Sequence, residues 1–247
     1  MRGSRDDKAF SEALQAEKPK LSSSRLTITR LGTGIEGLDE LIESGLVRGD
    51  IHLLAGGPGT GKTIFALNFV HNAIESGERI VYATFEESAE YLKRNAKLLG
   101  MNFDAFEKEG KATILDLEAL KGSELETNIS LLANAAEESK STILVIDSLT
   151  ALLLACETSF ELRTFVKSVY NALKEKRITT LMTVSLSDSG TPVGVEGFLA
   201  DSVMLLENWM DRSEYKTRFV ILKMRGTNHS RKYHSVIFGP HLSISKF

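Results

Sequence analysis

The chain has 247 residues, of which 42% are hydrophobic and 26% are charged. A chain of this length and composition buries a sizeable core, and one compact α/β domain accounts for it. The formal net charge is −3 and the sequence pI is about 6.0. These values argue against a surface built to neutralise nucleic-acid phosphates over a wide area.

Cysteine content and hydropathy indicate the compartment. Cys156 is the single cysteine, so the sequence excludes an intrachain disulfide and a cysteine-rich metal site and fits a reducing cytoplasm. No apolar run reaches the roughly 18 residues that span a bilayer, and the first residues are polar and charged, unlike a signal peptide. We expect a cytoplasmic protein that does not interact with membranes.

Residues 1–25 are rich in Ser, Lys, Asp and Glu and predict a flexible N-terminal arm, with a short peripheral helix as the alternative, followed by a single domain over 26–247. In that domain apolar runs alternate with amphipathic stretches, which is typical of parallel strands joined by crossover helices. The predicted strands are 51–55, 79–85, 112–117, 142–147 and 179–185. The predicted helices are 62–76, 88–99, 124–139 and 159–176. Gly77 and Gly100 stand where helix C-caps use glycine at positive φ.

The pattern changes after Ser185. Shorter alternating runs are separated by polar turns, and they predict an antiparallel extension of the same sheet. These runs are 202–206, 218–224, 234–238 and 242–245. The sequence contains no internal repeat and no shift of composition that indicates a second domain.

Residues 56–63 read Gly-Gly-Pro-Gly-Thr-Gly-Lys-Thr, the Walker A pattern, directly after an apolar strand and before an amphipathic helix. Glycines let main-chain N–H groups converge on a β-phosphate, and the helix N-terminus adds partial positive charge. We expect Lys62 to contact the β- and γ-phosphates and Thr63 to offer its hydroxyl to Mg²⁺. The alternative is a glycine-rich turn before an ordinary helix. The predicted nucleotide-binding residues are Gly57, Pro58, Gly59, Thr60, Gly61, Lys62, Thr63 and Ile64.

The apolar run 143–146 ends in Asp147, as a buried strand does when its carboxyl end faces a nucleotide. Asp147 is the candidate Walker B residue, which would hold Mg²⁺ through water. Strand-ending aspartates also cap the following helix, and that is the alternative role.

A second apolar strand leads into Glu86 and Glu87. A carboxylate there would orient and deprotonate a water in line with the γ-phosphate. Adjacent residues leaving a strand point in different directions, so we expect Glu86 to act as the catalytic base and Glu87 to support it. The alternative is that both complement the dipole of the helix that follows Ser88.

The segments around these motifs resemble the RecA superfamily and, within it, KaiC domains. Residues 33–41 are similar to the opening segment of RecA, RadA and KaiC domains, and the Thr33/Glu36 spacing also fits a capping box at a helix start. Residues 84–87 are similar to the paired glutamates of KaiC, and 194–201 to its segment before a late strand. Residues 223–229, Lys-Met-Arg-Gly-Thr-Asn-His, are the most KaiC-like segment.

The resemblance runs from Leu31 to the C-terminus. It implies an α/β RecA-like P-loop NTPase fold, with a mostly parallel central sheet flanked by helices and a C-terminal antiparallel extension. Residues 26–247 would then be one KaiC/RecA-like ATPase domain, where KaiC itself has two. The cofactors it implies are ATP and Mg²⁺.

In KaiC-like hexamers, the Lys, Arg and His of that last segment reach the ATP of the neighbouring subunit. The resemblance therefore implies that Lys223 and Arg225 act in trans on the γ-phosphate charge, as an arginine finger does, and that His229 contacts the nucleotide in trans. It implies a homohexamer with ATP at the subunit interfaces. The alternative is a solvated basic hairpin.

Two segments depart from the relatives. Gly197 and Phe198 lack the hydroxyls of the Ser-Thr pair in the autophosphorylating half of KaiC, so we expect hydrolysis without self-phosphorylation. Ser185 stands where RecA-type recombinases often place a glutamine, and its short side chain argues against γ-phosphate sensing by that route.

Three functions remain open. The first is a ring-forming ATPase with a regulatory or signalling role towards an unknown protein partner. The second is a RadA/RecA-type DNA recombination or repair ATPase, which usually needs mobile basic loops; residues 186–197 contain Asp188 and Glu196 but no Lys or Arg, so nucleic acid is not favoured. The third is an ATP-gated scaffold with little turnover, against which the carboxylates Glu86, Glu87 and Asp147 argue.

Overall fold

The computed structural model describes residues 28–119, 125–186, 194–239 and 241–245; the predicted N-terminal arm lies outside these ranges. A two-stranded antiparallel ribbon, β1 (Arg30–Leu31) and β2 (Leu46–Val47), precedes the main sheet, with a short 3₁₀ helix (Asp39–Leu41) between its strands. The strands of the main sheet are β3 (Ile51–Gly56), β4 (Ile80–Thr84), β5 (Ala112–Asp116), β6 (Ile143–Asp147), β7 (Thr179–Ser185), β8 (Ser202–Asp211), β9 (Glu214–Met224), β10 (His234–Ile237) and β11 (Ser243–Ser245).

Helices connect the parallel strands. They are α1 (Lys62–Glu75), α2 (Ala89–Leu98), α3 (Phe103–Lys108), α4 (Leu125–Glu138), α5 (Leu149–Leu154), α6 (Ser159–Lys176) and α7 (Val195–Leu199). Within the ranges that the structure describes, none of these helices combines the length and the apolar character needed to cross a membrane.

The strand order is β11-β10-β9-β8-β3-β7-β6-β4-β5, and the six strands from β8 to β5 run parallel to one another. Successive residues of a strand face opposite sides of the sheet. Leu54 and Tyr82 therefore belong to one apolar cluster, while Leu53 and Val81 belong to a second cluster on the other face. Because both faces are covered, these strands are continuous apolar runs rather than alternating ones.

The sequence-based assignment of the long elements is confirmed. The five predicted buried strands and the four predicted helices match the observed bounds to within one residue at each end. Gly77 and Gly100 follow α1 and α2 with φ of +90° and +82°, so both are the left-handed C-cap glycines that were predicted.

The prediction for β8 is wrong. This strand is not part of the antiparallel extension, because it pairs in parallel with β3, with His52 opposite Ser202 and Gly56 opposite Leu206. Its connection from β7 includes α7 and is long enough for a crossover, whereas antiparallel neighbours are joined by a hairpin. The antiparallel extension starts at β9, and the β8–β9 hairpin is several residues longer on each strand than predicted.

The predicted capping box is also wrong. Thr33 and Glu36 do not begin a helix: the main-chain N–H and the hydroxyl of Thr33 donate to Oδ1 of Asp39 at 2.9 and 2.7 Å, and Glu36 forms an isolated bridge with Ser243. Gly34 and Gly37 have φ of +65° and +80°, which is incompatible with a helix. The short 3₁₀ helix begins at Asp39 instead.

Candidate functional site

The loop between β3 and α1 depends on glycines. Gly59 and Gly61 have φ of +71° and +91°, and a Cβ on Gly61 would lie 2.5 Å from the ring of Phe238. The buried Thr60 hydroxyl donates to the carbonyl of Gly57 at 2.9 Å and holds the turn. Left-handed backbone and lack of space together require glycine at position 61.

Helix α1 begins immediately after this loop. Its N-cap is Gly61, and no side chain accepts a hydrogen bond from the first turn at that cap. The first N–H groups of a helix have no partner within the helix, and they carry partial positive charge. The N-terminus of α1 therefore offers main-chain donors to an anion.

Lys62 is the first residue of α1. Its ammonium group donates to the carbonyls of Gly56 and Gly57 at 2.9 and 3.0 Å. Burial lowers the pKa of Lys62, while the charges of Asp147 and Glu86 oppose that shift. The ammonium group is thus held at the mouth of the loop beside two carboxylates.

Asp147 is buried at the end of β6, and its carboxylate accepts from three hydroxyl groups of the described residues. Its Oδ2 accepts from Thr63 Oγ1 at 2.9 Å and from the Tyr82 hydroxyl at 2.6 Å, and its Oδ1 accepts from Thr183. Burial, with the charge of Asp147, raises the pKa of Tyr82 well above its ordinary value, so this phenol remains a donor. The Thr63 hydroxyl and the Asp147 carboxylate are adjacent oxygen ligands of the kind that Mg²⁺ prefers, so the residues fit a magnesium ion.

Glu86 and Glu87 follow β4 at the same edge of the sheet. Glu86 is exposed and its carboxylate accepts from the Ser148 hydroxyl. Oε2 of Glu87 is buried and, among the described residues, accepts no hydrogen bond. Burial raises the pKa of Glu87, and the charges of Asp147 and Glu86 add to the shift. The cap of α2 is supplied by Ser88, whose hydroxyl accepts from the N–H of Tyr91.

These groups line one cavity of about 650 Å³, a volume within the range of small-ligand sites. The predicted residues on its wall are Pro58, Gly59, Gly61, Lys62, Thr63, Ile64, Glu86, Glu87 and Asp147. The wall also contains Ser185, which stands where recombinases often place a glutamine, and four residues that no motif marks: Leu67, Asn95, Leu98 and Leu99. The apolar pair Leu98 and Leu99 was nevertheless visible in the sequence. The predicted residues Gly57 and Thr60 line a smaller cavity of about 290 Å³, whose wall also includes Pro58 and residues of β8.

The three residues predicted to act in trans lie away from this cavity. Arg225 follows Met224, which pairs with Ser202, and Ser202 pairs with His52 near the start of β3. The phosphate loop begins at the other end of β3, at Gly56, roughly 13 Å further along the strand at 3.3 Å per residue. Arg225 therefore lies near the amino ends of the parallel strands, whereas the phosphate loop of its own chain lies at their carboxyl ends.

Lys223 and Arg225 are both held at the end of α7. The ammonium group of Lys223 donates to the carbonyls of Gly197, Phe198 and Ala200 at 3.2, 3.0 and 2.5 Å, where it caps the helix. Burial, with the nearby charge of Arg225, lowers the pKa of Lys223. The Arg225 side chain is 57% exposed. It is therefore more available to a second molecule than Lys223.

His229 lies near the 3₁₀ helix. Its Nδ1 is 2.9 Å from the carbonyl of Ser230, whose N–H donates to the carbonyl of Leu41. Arg30 fixes the preceding turn, because its guanidinium donates to the carbonyl of Gly226 and to the hydroxyl of Thr227. The segment is thus tethered to the β1–β2 ribbon.

The model of the family described as "ATPase: KaiC" matches residues 31–244. This chain belongs to the KaiC family of ATPases. The predicted resemblance to KaiC is therefore confirmed.

Individual KaiC-family proteins match over most of the chain. The circadian clock oscillator protein KaiC of Parasynechococcus marenigrum is 34% identical over 234 residues, which cover 90% of this chain and 46% of that protein. The UPF0273 protein of Thermotoga maritima is 34% identical over 226 residues, which cover 84% of this chain and 91% of that protein. This chain spans about half the length of the curated KaiC proteins that it matches.

The fold is that of a solved KaiC-like protein from the archaeon Pyrococcus horikoshii. The two structures superpose with a TM-score of 0.81 at 33% sequence identity, and the match covers 89% of this chain and 100% of the archaeal chain. The predicted RecA-like α/β fold, with its mostly parallel central sheet flanked by helices, is confirmed.

Proposed function

We propose that this KaiC-family chain binds Mg²⁺-ATP in the 650 Å³ cavity and hydrolyses it to ADP and phosphate. One observation carries the proposal: a cationic loop, an oxygen-ligand pair and two carboxylates converge on a single cavity. Lys62 supplies the cation, Thr63 and Asp147 the oxygen ligands, and Glu86 and Glu87 the further carboxylates.

The phosphates occupy the glycine loop. They accept from the N–H groups at the start of α1, and Lys62 exchanges its carbonyl partners Gly56 and Gly57 for phosphate oxygens, which are stronger acceptors because they are charged. Thr63 and, through water, Asp147 would hold Mg²⁺, which would supply positive charge to the phosphate oxygens. The adenine base of ATP lies towards the apolar wall formed by Leu67, Leu98 and Leu99.

Glu86 is the general base that orients and deprotonates the attacking water. Its exposed carboxylate lines the cavity and is oriented by Ser148. Glu87 supports it as a second carboxylate on the same cavity wall. A carboxylate in this role contributes about 10²–10⁴-fold to the rate.

The site is completed by a second protomer. Lys62 is the single cation among the described residues on the cavity wall. Arg225 of the same chain lies near the other end of the parallel strands. A ring, a hexamer in our proposal, brings Arg225, Lys223 and His229 of one protomer to the phosphates of the next, where Arg225 stabilises the charge that develops on the γ-phosphate. Nucleotide binding and ring assembly then favour each other.

The ring acts in regulation of a protein partner in the cytoplasm. The absence of Lys and Arg from 186–197 supports this over DNA recombination or repair, since a strand-binding channel requires basic loops. The carboxylates on the cavity wall support turnover over a scaffold that only holds ATP.

The experiment measures binding of a fluorescent ATP analogue, phosphate release and light-scattering mass, each with Mg²⁺ or EDTA and with or without single-stranded DNA. We expect Mg²⁺-dependent binding, slow turnover, a nucleotide-dependent ring and no effect of DNA. Lys62→Ala abolishes binding, whereas Lys167→Ala, at an exposed position of α6, leaves it unchanged. Equal binding by wild type and Lys62→Ala would refute the proposal, and DNA-stimulated turnover would favour the recombinase function.

A further inference from the structure

Tyr82 lies against the carboxylate of Asp147, on the neighbouring strand. Its side chain is fully buried, with 0% exposed, and in the parallel pairing of β4 with β6 it stands opposite Val145. Val145 and Asp147 are two residues apart on one strand and therefore face the same side of the sheet. The Tyr82 hydroxyl donates to Oδ2 of Asp147 at 2.6 Å.

Two more hydroxyls share this carboxylate. Thr63 donates to the same Oδ2, and Thr183 of β7 donates to Oδ1. An ionised carboxylate accepts about four hydrogen bonds, so these three donors leave it about one free acceptor direction. Thr63 is the proposed magnesium ligand, whereas Tyr82 and Thr183 come from rigid strands on either side of β6.

We propose that Tyr82, assisted by Thr183, is a positioning residue that aims the free acceptor direction of Asp147 at the water ligands of Mg²⁺. The terminal torsion of an aspartate has a broad energy profile, so its packing alone sets the orientation weakly, and a hydrogen bond to each oxygen sets it firmly. A carboxylate that contacts Mg²⁺ through a bound water needs this fixed orientation. This inference rests on the proposed function.

A purely structural role for Tyr82 makes a different prediction. The hydroxyl of a buried tyrosine needs a partner, and losing that partner lowers the stability of the fold whether or not metal binds. A positioning role changes the dependence of ATP binding on Mg²⁺ and leaves metal-free binding unchanged. Metal dependence therefore separates the two roles.

The test uses Tyr82→Phe, which keeps the ring and removes the donor. Equilibrium binding of a fluorescent ATP analogue is titrated with Mg²⁺, starting from EDTA. We expect the Mg²⁺ concentration at the midpoint to rise about tenfold and the affinity in EDTA to stay the same. Tyr170→Phe is the matched control, because Tyr170 is also buried and donates to the carbonyl of Glu196, outside the cavity; its midpoint stays at the wild-type value.

Two further measurements keep the test decisive. Thr183→Val removes the hydroxyl from the other oxygen and is expected to shift the midpoint in the same direction. In an Asp147→Ala background, Tyr82→Phe is expected to add no further shift, because its effect passes through that carboxylate. If circular dichroism shows that Tyr82→Phe does not fold, the Mg²⁺ midpoint of Thr183→Val tests the inference in its place.

The outcomes separate this inference from the function on which it rests. A wild-type midpoint in Tyr82→Phe and Thr183→Val overturns the inference while Mg²⁺-dependent binding by the wild type preserves the proposed function. A shift of equal size in Tyr170→Phe also overturns it, since that shift would be a general effect of losing a buried hydroxyl. Wild-type protein that binds ATP equally in Mg²⁺ and EDTA overturns both.

Discussion

The hydroxyl of Thr63 donates to Oδ2 of Asp147 at 2.9 Å, although 84 residues separate the two in the chain. The contact joins the first turn of α1 to the last residue of β6. The phosphate loop and the acidic strand end are therefore parts of one oxygen-lined site, and changes on either side should affect the metal dependence of nucleotide binding.

Thr63→Ala removes one proposed ligand of Mg²⁺ from this pair. We expect ATP to bind about tenfold or more weakly in Mg²⁺ and with unchanged affinity in EDTA, measured by isothermal titration calorimetry. Thr63→Ser keeps the hydroxyl and should behave as the wild type. Equal loss of affinity in Mg²⁺ and in EDTA would show that Thr63 supports the loop rather than the metal.

Glu86→Gln tests the proposed base. We expect kcat for phosphate release to fall by about 10²-fold or more while ATP binding is retained, because the amide keeps the shape of the side chain but cannot take a proton. Glu87→Gln should lower kcat less. Glu90→Gln is the control for the helix-dipole alternative, since Glu90 is an acidic residue in the first turn of α2; an equal effect of Glu90→Gln and Glu86→Gln would favour that alternative.

Arg225→Ala tests completion of the site in trans. Alone, Arg225→Ala and Glu86→Gln, which still binds ATP, should both lose turnover. When equal amounts are assembled together, about a quarter of the interfaces pair an intact Glu86 with an intact Arg225, so turnover should exceed that of either variant alone. The double variant mixed with Glu86→Gln is the control, because it contains no intact Glu86. Additive rates in the first mixture would contradict the trans role.

His52 should make stability depend on pH. It is buried, with Nδ1 2.7 Å from Ser202 Oγ and Nε2 3.1 Å from the carbonyl of Val47, and burial lowers the pKa of His52 below its ordinary 6.5, against smaller opposing contributions. Below pH 6.5 the unfolded chain therefore binds a proton that the folded chain excludes, and stability falls as the pH drops. The slope from this group is up to about 1.4 kcal/mol per pH unit.

The measurement is urea unfolding of wild type and His52→Gln at several pH values between 7.5 and 5.5. Other titrating groups contribute equally to both proteins, so the difference between their slopes isolates His52. We expect the wild type to lose stability more steeply than the variant on acidification. Parallel curves would show that the folded protein accommodates the charged imidazolium.

The pattern of apolar residues was sufficient to predict the long elements of the fold. Helix α6 and strand β7 were predicted at their observed bounds, because α6 repeats its apolar positions over several turns and β7 lies in a buried run of strand length. Helices α3, α5 and α7 have five or six residues each and were not predicted, because fewer than two turns contain no repeat to detect. The direction of β8 was wrong for a related reason: alternation identifies a strand but not the orientation of its neighbour.

By itself, the sequence determined the chemistry of the phosphate loop. The glycines, Lys62 and Thr63 are consecutive, so local geometry alone makes them one anion-binding unit. It also indicated that Asp147, Glu86 and Glu87 lie at the ends of buried strands, since carboxyl groups directly follow apolar runs. Which carboxylate is buried, which is exposed and which hydroxyls each one accepts could not be read from these patterns.

Those features were decided by the tertiary structure, because they depend on contacts between residues distant in the chain. Tyr82 was predicted only as an apolar strand residue, yet the register of β4 against β6 places its hydroxyl on Asp147. The same strand order puts Arg225 near the amino ends of the parallel strands, away from the phosphate loop of its own chain. Register and strand order arise from the packing of the whole sheet, which no local pattern of residues encodes.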